Sequence, residues 1–124
     1  MDGLHDRVVR EIVDCLNQKS YDIYTNPGQE KNAGIGDNYP DVIMTEKGTK
    51  TVKFILEIEV AESITQEEAI RQWKKYAIEI NASFYIVVPL QSLNKAKELC
   101  QMNNIKARFA TFQIKNDVLS FNFQ

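Results

Sequence analysis

Histidine, cysteine and proline are scarce in this chain, and each scarcity removes a class of chemistry. Its 124 residues include one His, two Cys and three Pro. The single histidine, His5, has no nucleophile partner and cannot support a Ser-His-Asp triad; one turn from the chain start, it reads as a surface residue. Cys15 and Cys100 are too far apart for a CxxC redox motif or a zinc-ligand cluster. Both fall in helical apolar patterns and read as buried thiols, with no disulfide expected in a reducing compartment. No apolar run approaches the ~20 residues of a membrane span, so no membrane association is expected. The opening Met1-Asp2-Gly3-Leu4-His5-Asp6 lacks the basic-then-apolar layout of a signal peptide, and a cytoplasmic location follows as the expectation. Excess positive charge is missing too. A net charge of −2 and a pI of 5.4 argue against a general nucleic-acid coating protein and leave room only for a local basic patch.

What is present fits one globular domain over residues 1–124, since 44% of the chain is hydrophobic and 26% charged, with no repeat, linker or low-complexity segment. Two stretches stand out. Tyr39-Pro40-Asp41-Val42-Ile43-Met44 and Thr51 to Val60 are rich in β-branched and aromatic residues, and the break between them is polar with a glycine. They read as a hairpin. Alternation places Phe54, Leu56, Ile58 and Val60 on one face and Lys53, Ile55, Glu57 and Glu59 on the other. An antiparallel hairpin folds Asp41 back towards Glu57 and Glu59. Carboxylates converging at a sheet end suit a hard divalent cation such as Mg²⁺; the competing reading is a solvated face of an amphipathic strand.

The remaining elements follow from periodicity. Leu4 to Lys19 carries Leu4, Val8, Ile12 and Cys15 on one stripe and reads as a helix, with Glu11 at its border, facing either water or the acids. Tyr21 to Thr25 reads as the first strand, ended by Asn26-Pro27-Gly28. Gln29 to Asn38 has no periodicity and reads as a flexible loop beside the acids; its GxG lacks the following helix that phosphate-binding motifs need. Thr65-Gln66-Glu67-Glu68 has the form of a capping box and opens a helix whose apolar face holds Ala69, Trp73, Tyr76 and Ile80. Gln72 and Tyr76 share a flank one turn apart. Phe84 to Pro89 is a continuous apolar run, expected of a central strand. A helix over Ser92 to Asn103 and strands over Arg108 to Ile114 and Val118 to Phe123 complete the chain.

This order, with Pro-Asp opening the second strand, acid-x-acid late in the third and Gln-x-x-x-Tyr on the next helix, resembles the PD-(D/E)XK nuclease superfamily over about Leu4 to Pro89. The resemblance implies a restriction-endonuclease-like α/β fold, an αβββαβ core with a mixed central sheet flanked by helices, here with a C-terminal α-β-β extension. It implies metal-dependent hydrolysis of DNA phosphodiester bonds with Mg²⁺ or Mn²⁺ as cofactor. Asp41 and Glu57 match the metal-binding acids, and the main-chain carbonyl of Ile58 matches a further ligand. Glu11 matches the helix-borne acid that many members add. Gln72 and Tyr76 match the QxxxY substrate-binding motif of the RecB-like and Cas4-like branch.

Glu59 departs from the pattern, standing where the family usually has lysine. A glutamate there adds negative charge and can act only as a metal ligand or a base. Lys53 shares its face but lies ~13 Å from Glu57 along the strand. Lys74 or Lys75 could supply the missing amine, and Arg71, Lys74, Lys75 and Lys31 are the expected phosphate contacts. A chain with little beyond the core would need a homodimer or a partner protein to cut two strands. The alternative is a catalytically silent nuclease fold acting in nucleic-acid binding or assembly.

Overall fold

In the computed structural model, residues 3–26 and 31–124 are described; Met1, Asp2, the Pro27-Gly28 break and the start of the following loop lie outside the described residues. The elements are α1 (Gly3–Val13), β1 (Tyr21–Thr25), β2 (Val42–Glu46), β3 (Val52–Ile58), α2 (Gln66–Glu68), a π-helical turn (Ala69–Trp73), α3 (Lys74–Glu79), β4 (Ser83–Pro89), α4 (Leu93–Met102), β5 (Arg108–Lys115) and β6 (Val118–Phe123). The class is α/β. All six strands form one mixed sheet in chain order, with β3, β4 and β5 mutually parallel and the other pairs antiparallel.

The sheet separates two apolar clusters. On one side Val8, Val9 and Ile12 of α1 pack on Val42, Leu56, Ile58 and Val87. On the other, Trp73 and Tyr76 of the second helical segment and Ala96, Leu99 and Cys100 of α4 pack on Ile43, Ile55, Ile86 and Val88. Phe84, Ile86 and Val88 face one cluster and Val87 the other, so β4 is buried on both faces, as its unbroken apolar run requires.

Several boundaries differ from the sequence expectation. The first helix stops at Val13 instead of reaching Lys19, because the Asn17 side chain accepts from the main-chain N–H groups of Lys19 and Ser20 and holds a turn instead. Cys15 therefore leaves the apolar stripe and is exposed, whereas Cys100 is buried. Asp41 stands just before β2 and Glu59 just past β3, so both acids sit at the end of the sheet and not within its ladder. The α4-β5-β6 portion is no appendage: β5 pairs in parallel with β4 and continues the sheet. The β5–β6 turn has Asn116 and Asp117 at φ 52° and 63°, the twist that a two-residue hairpin favours. Among the described residues no helix is long and apolar enough to cross a membrane.

Candidate metal centre

The β2–β3 register brings the first two acids together. Val42 pairs with Leu56, which sets Asp41 opposite Glu57 one step beyond the ladder. The Asp41 N–H donates to Glu57 Oε1 at 3.2 Å, and the Ile58 N–H donates to Asp41 Oδ2 at 2.8 Å. His5 Nε2 approaches the same Oδ2 at 3.1 Å, while its Nδ1 lies 3.1 Å from Asp6. Among the described residues Asp41 Oδ1 accepts no hydrogen bond, which leaves it open to a cation. The surface position expected for His5 is thus corrected: α1 carries it to the acids.

Glu59 projects to the helical side of the sheet. Its Oε2 accepts from the Trp73 indole at 2.9 Å and its Oε1 from the Ser63 hydroxyl at 2.5 Å. Each carboxylate oxygen has two lone pairs, so these bonds fix the group without exhausting it. The helix adds a fourth acid. Glu57, Glu59 and Glu68 each offer an oxygen within 4.8 Å of the others.

Gln72 links the helix to this cluster. The amide orientation that satisfies its surroundings turns its nitrogen towards Glu57 Oε2 at 2.8 Å and towards Glu68, and its oxygen accepts from the Tyr76 hydroxyl at 3.2 Å. Glu68, Gln72 and Tyr76 recur at every fourth residue. That spacing exceeds the 3.6 of an α-helix, and the π-helical turn at Ala69–Trp73 widens the helix there. At its start the Thr65 hydroxyl accepts from the Glu68 N–H at 3.2 Å, one half of the expected capping box, while the Glu68 carboxylate turns to the acids.

The electrostatics are those of an uncompensated acid nest. Burial, then the charges of Asp41 and Glu59, push Glu57 well above the usual carboxylate range. Burial and the nearby Glu68 push Glu59 up to about 8, against the lowering effect of Ser63 and Trp73. Glu68 is raised by burial. Burial and Glu57 likewise raise the Tyr76 hydroxyl. Among the described residues the one cation in contact is His5, raised to about 9 chiefly by its bond to Asp41. Among the described residues no lysine or arginine forms an ion pair with Asp41, Glu57, Glu59 or Glu68.

The structure therefore brings together Asp41, Glu57, Glu59, Gln72 and Tyr76, and leaves other expected site residues elsewhere. The Glu11 carboxylate is held by Arg7 at 2.7 Å, and Arg7 also reaches Asp117 at 3.2 Å in the β5–β6 turn. Arg71 is exposed and pairs with Glu67. Lys75 bonds Asn38 and lies 3.4 Å from both Asp37 and Glu79, so it braces the loop ahead of Asp41 and does not stand in for the missing β3 lysine. Sequence reasoning missed Glu68, Ser63, Trp73 and His5. Glu68 had a signal, for it precedes Gln72 by the same four residues that separate Gln72 from Tyr76.

The site fits a hard cation on its donor chemistry: buried carboxylates with few counter-charges carry protons that a divalent ion would replace. No family model, curated protein or solved structure matches this chain.

Proposed function

We propose that this protein is a metal-dependent nuclease of the PD-(D/E)XK type that hydrolyses DNA phosphodiester bonds. The observation that carries the reading is the meeting of Asp41, Glu57, Glu59 and Glu68 at one sheet end beneath the Gln72–Tyr76 pair. The αβββαβ order of α1 to β4 supports it. Asp41 through Oδ1, Glu57, Glu59 or Glu68 and the carbonyl of Ile58 would hold Mg²⁺ or Mn²⁺. When bound, such an ion supplies charge neutralisation at the scissile phosphate and lowers the pKa of a water.

The chain's own groups do the rest. Gln72 orients Glu57, and the Tyr76 hydroxyl, kept protonated by its raised pKa, donates to the Gln72 oxygen and fixes that orientation. His5 is the cation paired with Asp41 among the described residues and takes the electrostatic part that lysine plays in the family pattern. Trp73 and Ser63 fix Glu59 as a cation ligand, which suits that role better than a base.

A silent nuclease fold is the second reading, favoured by the absence of any lysine or arginine paired with the acids among the described residues. Calorimetric titration of Mn²⁺ into wild type and Glu57→Ala, followed by incubation with single-stranded, duplex and branched DNA, separates the two. Metal binding and cleavage by the wild type, both lost in Glu57→Ala, support the nuclease. Metal binding without cleavage supports the silent fold, and no metal binding rules out both as stated.

A further inference from the structure

At the opposite end of the sheet, α1 leaves the strands uncovered. Leu16, Tyr21, Met44, Phe54, Tyr85 and Phe123 line a groove there, drawn from a loop and five strands. Its rings interlock in a row: Tyr21 meets Phe54 edge-on at 5.5 Å, Phe54 lies 6.3 Å from Tyr85, and Tyr85 meets Phe123 edge-on at 5.7 Å. The cavity encloses about 190 Å³. An apolar cavity of ~150 Å³ accepts a benzene ring, so this one has room for a single planar ring.

The surrounding charge is of the opposite sign to the chain's. The connections and strand ends at this edge carry Lys19, Lys50, Lys106 and Arg108, all exposed and none in an ion pair among the described residues; Lys47 there is paired with Asp22. Asp14 and Glu46 are the other acids of these segments. A chain of net charge −2 thus concentrates free cations around an aromatic groove. Arg108 belongs to the groove as well as to the rim, since it pairs in register with Tyr85 and donates to its hydroxyl at 3.3 Å.

We propose that this end of the sheet binds single-stranded nucleic acid, with one base seated among the rings and the flanking phosphates on the lysine and arginine rim. Stacking on aromatic side chains beside a basic track is how unpaired strands are held without sequence preference. A duplex keeps its bases inside the helix and cannot fill the groove. The site stands apart from the acid nest in position and chemistry, and so does not depend on the nuclease reading.

The test is fluorescence anisotropy of a labelled 12-mer of deoxythymidine in EDTA, at low and moderate salt. Wild-type binding is expected to weaken as salt rises. Phe123→Ala is expected to weaken it by roughly 5- to 100-fold, the range for one lost stacking partner. Lys50→Glu with Arg108→Glu removes surface cations without touching the core and is expected to weaken binding and flatten its salt dependence. Asp41→Asn and Glu57→Gln are expected to bind as wild type, whatever they do to cleavage. The proposal is overturned if the wild type shows no binding, or if both the Phe123 and the rim variants bind as wild type. It is also overturned if binding is lost in Glu57→Gln, or if sedimentation shows a second copy of the chain filling the groove and excluding the oligomer.

Discussion

His5 Nε2 lies 3.1 Å from Asp41 Oδ2 and ties the start of the first helix to the start of the second strand. Because the chain has one histidine, a single imidazole resonance reports on this contact. The expected titration midpoint is about 9, and divalent metal should lower it by competing for Asp41. A raised histidine pKa contributes stability that is complete below 6.5 and disappears as pH rises through about 9. His5→Asn should therefore lower the melting temperature at pH 6 and leave it little changed at pH 10.

The acids act in the other pH range. Glu59 titrates near 8 when folded and near 4.5 when unfolded, so between these values the folded state holds the extra proton and stability falls as pH rises. Glu57 acts in the same direction. Without metal, the unfolding free energy is expected to fall between pH 5 and 8, by up to about 1.4 kcal/mol per pH unit for each such proton, and the melting temperature with it. Glu57→Gln and Glu59→Gln should flatten that slope. Mn²⁺ should raise stability most at the high-pH end, and its binding should release protons, measurable by titration in buffers of different ionisation enthalpy.

Trp73→Phe keeps an aromatic ring at a fully buried position but removes the indole donor to Glu59, together with part of the ring volume. Leaving that buried oxygen without its partner is expected to cost about 1–3 kcal/mol. Urea unfolding at pH 7 measures it, and Ser63→Ala should cost less because Ser63 is closer to solvent.

Tyr76→Phe tests the helix flank. The ring packs on Phe84 with centroids 6.2 Å apart and is retained, while the hydroxyl that donates to Gln72 is lost. Mn²⁺ affinity should stay within about threefold of wild type, whereas cleavage should fall by roughly 10²-fold, the scale of a misplaced reacting geometry. Loss of metal binding in this variant would contradict the separation of roles.

Thiol labelling reports on the end of the first helix. Cys15 is exposed and Cys100 buried, with its thiol pushed up to about 11 by burial. One thiol should react promptly in the native protein, and the second only on unfolding.

Much of this architecture was legible because burial writes itself into periodicity. The stripe of Val8, Val9 and Ile12, the alternation from Phe54 to Glu59 and the unbroken run from Phe84 to Val88 each match the faces they bury. The convergence of Asp41 with Glu57 followed from hairpin geometry alone. Other features depend on competition that periodicity does not encode. Asn17 ends the first helix by a side-chain bond, and Arg7 captures Glu11 one turn away although Glu11 borders the apolar stripe. Glu68 satisfied a capping motif in the sequence, yet its carboxylate turns to Gln72 and away from the helix start. The parallel pairing of β4 with β5 joins strands distant in sequence, which local pattern cannot announce.

The order of the sheet has a consequence for biosynthesis. Each strand pairs with the one made just before it, so a nascent chain can add strands at a growing edge without threading between earlier ones. Every side chain of the acid nest lies between His5 and Tyr76, and β4 supplies the main-chain brace at Val87 that accepts from the Glu59 N–H at 2.8 Å. The nest is thus complete in sequence before β5 and β6 emerge. Those last strands serve to close the far edge of the sheet, and Phe123 on β6 supplies the last wall of the aromatic groove.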